Sequence, residues 1–158
     1  MRNVYRINRT CLRICETMAI RSAKIGFEVC GLLVAKHSEI ELIPVRNSAR
    51  KMGSFEMWGH WQQISLRAAN CSASRVVGSY HSHPWAGPEP GDSDIAGMTK
   101  KGSLMLIISV LPLECKLWRI EGTKITPQIL IASHKPHNPR SCPHGQPGFL
   151  TSLLLFHP

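Results

Sequence analysis

The apolar residues follow two rhythms along the chain. Across residues 12–22, Leu12, Cys15 and Ala19 recur at steps of three and four, with Ile14 and Met18 beside them, while Arg13, Glu16 and Arg21 turn toward water. That spacing predicts an amphipathic helix, with Thr10 as its N-cap and Gly26 ending the connection behind it. Ahead of it, Val4, Tyr5, Arg6 and Ile7 within residues 3–8 predict a short strand. Residues 28–35 are apolar on both parities after one opening acid, Glu28, as in a strand covered on both faces. A polar turn at residues 36–38 leads into residues 39–45, its hairpin partner, with Pro44 marking an edge.

Residues 47–54 read as loop. Residues 55–70 then set Trp58, Trp61, Ile64, Leu66 and Ala68 at near-helical spacing, which predicts a second helix with both tryptophans in the core. A strand over residues 75–80 runs into His81-Ser-His-Pro84, where the proline lacks the N–H a ladder needs. Pro88 and Pro90 stiffen the loop 85–91, and Asp92 or Ser93 caps a short helix through Ile95, Met98 and Lys101. Residues 104–110, 114–120 and 124–132 predict a meander that turns at residues 111–113 and 121–122. The elements sum to an α+β domain, one curved, mostly antiparallel sheet flanked by helices. No repeat is visible, which removes solenoids and propellers.

With 158 residues, 43% of them hydrophobic, the chain buries one sizeable core, so a single domain is expected over residues 1–132. Beyond it proline, histidine and asparagine accumulate around an isolated apolar run at 149–156, and residues 133–158 are expected to be a weakly ordered tail. Lysine and arginine number 19 against 10 acids, a net charge of +9, which favours acidic partners. Aromatics are only 6% and no RNA-recognition signature is present, so nucleic-acid binding rests on charge alone and is not expected. The six cysteines contain no CxxC pair and mostly sit in apolar patterns, which fits a reducing cytoplasm. Arg2, Arg6, Arg9 and Arg13 interrupt any signal-peptide core, and the most apolar run, 104–113, is too short to span a membrane.

His81 and His83 lie one residue apart at a strand end, so their side chains project to the same side and can grip one metal. Asp94, on the first turn of the helix after the proline-rich loop, is placed to return as a third ligand. Two imidazoles and a carboxylate with a fourth position open make a catalytic zinc site that lowers the pKa of water to roughly 7. Such a site needs a proton carrier, and Glu28, the acid abutting the apolar strand, is the candidate general base, its pKa raised by partial burial.

Glu28 followed by Val-Cys-Gly-Leu-Leu, then His81-Ser-His-Pro84, then Asp94 after a proline-rich loop resembles the JAMM/MPN-type zinc metallopeptidases. The likeness runs in order from the first helix to about Ala132 and leaves out the tail. It implies a curved sheet between helices in a cytidine-deaminase-like three-layer arrangement. It also implies that His81, His83 and Asp94 bind one zinc and that Glu28 is the base. The family's oxyanion-stabilising Ser stands three residues before the Asp, and here that position is Gly91. Losing one such donor costs on the order of 10²–10³ in turnover, so either Ser82, Ser93 or the Gly91 N–H replaces it, or Gly91 lets the backbone approach the substrate, or it marks a weakened enzyme. Residues 46–55 and the stretch after Asp94 are short, as in the minimal, prokaryotic-style members. The resemblance then implies cleavage of an amide or isopeptide bond after the C-terminal tail of a ubiquitin-like or sulfur-carrier protein, the tail adding as a strand beside an edge.

Trp85, just after the ligands, is either a substrate wall or a cover for core. His134, His137, Cys142 and His144 carry ligand chemistry, but without a hydrophobic frame they read as tail. The basic helix residues Arg9, Arg13, Arg21 and Lys24 form a solvated face that can steer an acidic carrier. The alternative to a zinc hydrolase is a non-catalytic or weakly active scaffold of the same fold that holds protein partners. Scaffold members of the family usually lose the His and Asp ligands that this chain keeps.

Overall fold

Residues 3–36, 38–57, 74–97 and 103–133 are described by the structure, a computed structural model. Among them β1 (Val4–Asn8) leads into α1 (Arg9–Ala23), followed by β2 (Cys30–Lys36), β3 (Glu39–Val45), β4 (Ser74–His83), α2 (Asp92–Ala96), β5 (Ser103–Val110), β6 (Leu113–Glu121) and β7 (Lys124–Ser133). The helix expected over residues 55–70 falls, from residue 58 on, outside the described residues, as do Met98, Lys101 and the tail from residue 134. Phe55, Glu56 and Met57 are not helical; Met57 makes a bridge to Asn47.

The strands run in the order β1-β3-β2-β4-β5-β6-β7, and the sheet closes on itself. The closed sheet replaces the expected curved one, while antiparallel pairing still predominates and the class is α+β as expected. The β2–β3, β2–β4, β5–β6 and β6–β7 pairs are antiparallel, while β1–β3, β1–β7 and β4–β5 are parallel. The short first strand makes the difference. It pairs along its whole length with the last, from Val4↔Ile129 to Asn8↔Ser133, and meets β3 at Ile7↔Ile40. A twisted sheet brings its two edges round toward each other, and β1 bridges them, along five residue pairs with β7 and at one with β3.

The hairpin β2–β3 and the meander β5–β6–β7 form as the alternation predicts. α1 begins three residues earlier than the apolar period, because Asn8 rather than Thr10 caps it. The Asn8 Oδ1 accepts the N–H groups of Thr10 at 3.0 Å and Cys11 at 3.2 Å. α1 buries Cys15 and Ala19 against Ile7, Leu33, Leu42, Tyr80, Leu106 and Ile108, the main core. On the other faces of β2 and β5, Leu32 and Val34 pack with Ile43 and Met57, and Met105 and Ile107 with Trp118 and Ile120. β2 and β5 are thus covered on both sides, as their unbroken apolar runs predict. No helix among the described residues is long and apolar enough to cross a membrane.

Candidate metal centre

β4 extends three residues beyond its expected end. It is held between β2 and β5, with Cys30↔His81 on one side and His83↔Ser109 on the other, so the histidines belong to the strand and not to a loop. Both are buried, and their Nε2 atoms lie 3.1 Å apart. The chain then turns through Pro84 into a loop fixed at four consecutive residues. Ser109 Oγ donates to the Ala86 carbonyl at 2.9 Å, His83 Nδ1 to that of Gly87 at 2.7 Å and Trp118 Nε1 to that of Pro88 at 2.7 Å, while Lys116 pairs with Glu89 at 2.7 Å.

This loop delivers Asp94. Gly91, in ordinary extended backbone, is the N-cap of α2, correcting the expectation that Asp92 or Ser93 would cap it. Asp94 reaches back to accept the Gly91 N–H at 2.7 Å on Oδ2. Its Oδ1 is 3.3 Å from His81 Nε2 and its Oδ2 is 3.4 Å from His83 Nε2.

The three donor groups lie within 4.8 Å of one another. Two donors of a tetrahedral zinc, each about 2.0–2.1 Å from it, are about 3.3 Å apart. The two Nε2 atoms, 3.1 Å apart, match that spacing, and each has one Asp94 oxygen at a similar distance, Oδ1 at 3.3 Å from His81 and Oδ2 at 3.4 Å from His83. Charge fits as well. Burial works against the Asp94 carboxylate, yet its bonds to His81 and His83 hold it well below the usual carboxylate range, so it is ionised. Burial lowers the pKa of His81. It pulls on His83 too, but there the bonds to Asp94 and the Gly87 carbonyl outweigh it and the net shift is upward. Donation from His83 Nδ1 to Gly87 fixes the ring so that Nε2 is the atom turned toward the other donors.

Glu28 sits two residues before β2 rather than at its start, and it is buried. Burial raises its pKa to about 7; His83 opposes the rise and Asp94 adds to it. Its backbone is held from two sides. Asn47 Nδ2 donates to the Glu28 carbonyl at 2.9 Å. Ser82 exchanges two bonds with Val29, each 2.9 Å, its Oγ accepting the Val29 N–H and its own N–H going to the Val29 carbonyl. Ser82 alternates with the two histidines along β4, and its hydroxyl serves to tie the Glu28 segment to their strand.

Of the other candidates, Gly91 has its N–H taken up by Asp94, and Ser93 is exposed on the first turn of α2. Trp85 is 60% exposed, with the benzene side of its indole lying over Gly26 and Gly53. A Cβ at Gly26 would stand 3.0 Å from that ring, and both glycines have φ above +60°, so the seat depends on their being glycines. Two residues escaped the sequence reading. Phe55 stacks on the His81 ring with centroids 4.4 Å apart, and Asn47 organises the loop between β3 and β4. A lone aromatic after a polar loop was the available hint for Phe55; nothing in the sequence marks Asn47.

A family model, the prokaryotic homologs of the JAB domain, matches residues 16–121. The chain belongs to this family. The JAMM/MPN-type resemblance read from Glu28, His81-Ser-His-Pro84 and Asp94 therefore stands. This JAB-family chain is similar to a desampylase of Pyrococcus furiosus, 32% identical over 101 residues that make up 63% of this chain and 71% of that one. Its fold is similar to a solution structure from Desulfitobacterium hafniense, with a TM-score of 0.69, 19% identity and coverage of 85% and 99% of the two chains. It is also similar to the crystal structure of a JAB1/MPN domain protein from Archaeoglobus fulgidus, with a TM-score of 0.53, 18% identity and coverage of 80% and 98%.

Proposed function

We propose that this protein is a zinc-dependent isopeptidase that hydrolyses an amide bond after the extended C-terminal tail of a ubiquitin-like or sulfur-carrier protein. One observation carries the reading: the donors of His81, His83 and Asp94 converge beside a buried carboxyl, Glu28, whose pKa burial raises to about 7. Similarity to a desampylase supports the substrate class. His81, His83 and Asp94 hold one zinc, which when bound acidifies water and polarises a carbonyl. Glu28 takes the proton of the attacking water and returns it to the leaving amine; a pKa near the working pH suits both halves of that transfer. Ser82 keeps the Glu28 segment in register, the exposed Ser93 is the hydroxyl we assign to the developing oxyanion, and the exposed face of Trp85 walls the tail. Among the described cysteines Cys11, Cys15, Cys30 and Cys115 are free, in keeping with the cytoplasm.

A second reading, a weakly active scaffold, is favoured by Gly91. The position has no hydroxyl, and its N–H already serves Asp94. The test is a ubiquitin-like protein fused through its C-terminal tail to a reporter, incubated with the zinc-loaded protein. Cleavage that is lost in Glu28→Gln, with one zinc per chain that is lost in the double variant His81→Ala, His83→Ala, is the expected result. Full cleavage by Glu28→Gln overturns the catalytic assignment. Zinc binding with capture of the fusion but no cleavage selects the scaffold.

A further inference from the structure

The two histidines are held in different ways. His83 is oriented by a hydrogen bond from Nδ1 to the Gly87 carbonyl. A metal-binding imidazole ordinarily has such a partner, which fixes both the ring plane and the edge it presents. The Nδ1 of His81 is buried and has no partner among the described residues. What His81 has is an aromatic face: the Phe55 ring lies 4.4 Å away, inclined by only 18°.

We propose that Phe55 is a positioning residue for the metal centre, its stacked ring setting the plane of His81 in place of the hydrogen bond that His83 has. The proposal rests on the reading of His81, His83 and Asp94 as the metal ligands. Stacking resists tilting of the imidazole out of plane, while the edge presented is chosen by the groups facing Nε2, namely Asp94 Oδ1 at 3.3 Å and His83 Nε2 at 3.1 Å. Plane and edge are thereby both determined.

Phe55 can act this way because its own backbone is bracketed. Asn47 Nδ2 donates to the Ser54 carbonyl at 3.0 Å, and Asn47 Oδ1 accepts the Glu56 N–H at 3.0 Å, so the residues on either side of Phe55 are fixed by one side chain. The Glu56 carbonyl also accepts the Ser48 N–H at 2.8 Å. The same Asn47 amide holds the Glu28 carbonyl. One asparagine therefore references both the proton carrier and the aromatic support of a ligand to a common point.

The experiment measures zinc affinity by competition with a chromophoric chelator, independently of hydrolysis, for the wild type, Phe55→Leu, Phe55→Tyr and His83→Ala. Urea unfolding of the metal-free forms runs beside it. Loss of an outer-shell support typically weakens metal binding about 10–100-fold, so Phe55→Leu is expected to bind zinc at least about 10-fold more weakly, and Phe55→Tyr to return within about threefold of wild type. An apolar residue that merely filled space would shift the urea midpoint without that pattern. Wild-type affinity in Phe55→Leu overturns the proposal, and so does failure of Phe55→Tyr to restore it. If the wild type takes up no zinc, or His83→Ala keeps it at full strength, the ligand reading falls and takes the proposal with it. Should Phe55→Leu not fold, the zinc-loaded wild type decides by NMR: ring-current shifts must move the His81 ring protons upfield of those of His83, and their absence overturns the proposal.

Discussion

The closed sheet has two unlike walls. In β2 the five residues from Cys30 to Val34 are buried in succession, and in β5 the six from Leu104 to Ser109; between them β4 buries Ser79, Tyr80, His81, Ser82 and His83. In β7 no residue is buried, and across from it on β1 Val4 is exposed beside Ile129 and Ile131. Both walls are the same hydrogen-bonded ladder, yet the chemistry sits on one. Covering a strand on both faces excludes water, and beside that wall burial lifts the Glu28 carboxyl to about 7 while both histidines are buried within it. The other wall closes the sheet and is asked for nothing more.

The largest effect that would sharpen this contrast is at Glu28. Glu28→Gln is expected to lower turnover by about 10²–10⁴ with zinc content unchanged. The same variant should stabilise the metal-free protein. A carboxyl whose folded pKa is about 7 against an ordinary 4.5 takes up a proton on folding between those values, so its contribution to stability declines as pH rises through that window and is fully unfavourable above it. Urea unfolding at about pH 8 should show Glu28→Gln more stable by about 3 kcal/mol, with the gain shrinking toward pH 5. A variant no more stable at the higher pH would mean that the buried wall does not strain its own carboxylate.

Next in size is packing within that wall. A Cβ at Gly78 would overlap the backbone carbonyl of Leu104 on β5, so Gly78→Ala should cost about 3 kcal/mol in chemical denaturation. A smaller step belongs to Gly91. Its backbone is unstrained, and a Cβ there would lie 3.5 Å from Asp94 Oδ2, so Gly91→Ser fits and should raise turnover by about tenfold if the missing hydroxyl limits the rate. Smallest is the open wall: Ile131→Thr, at a position 48% exposed, should stay within about 0.5 kcal/mol of wild type. Equal costs for Gly78→Ala and Ile131→Thr would erase the distinction between the walls.

Much of the site could be read from the sequence because its geometry is local. A spacing of two places His81 and His83 on one side of any strand, and a short proline-rich loop leaves Asp94 few directions but back. β3 is found to the residue because its buried positions, Ile40 and Leu42, alternate cleanly between a polar turn and Pro44. Barrel closure was not legible, since it depends on five residues of β1 meeting a strand more than 120 positions away, and no local period records such a partner. The cap of α1 was misplaced by two residues because Asn8 and Thr10 are both competent, and only the path of the chain decides which oxygen meets the free N–H groups. Asn47 was invisible and Phe55 only hinted at for a related reason: each works through neighbours brought to it by the fold.

The loop between β4 and α2 is irregular in shape, but Ala86, Gly87, Pro88 and Glu89 are each fastened to a neighbouring group in turn. Mechanically it is a strut and not a hinge. Amide exchange there should follow the strands beside it instead of running ahead, and a bound chain would find a rigid bank to conform to. On the proposed isopeptidase reading, selectivity at such a bank would be set by the cost of bending the guest, favouring tails that are already extended and small over those that must be straightened to enter.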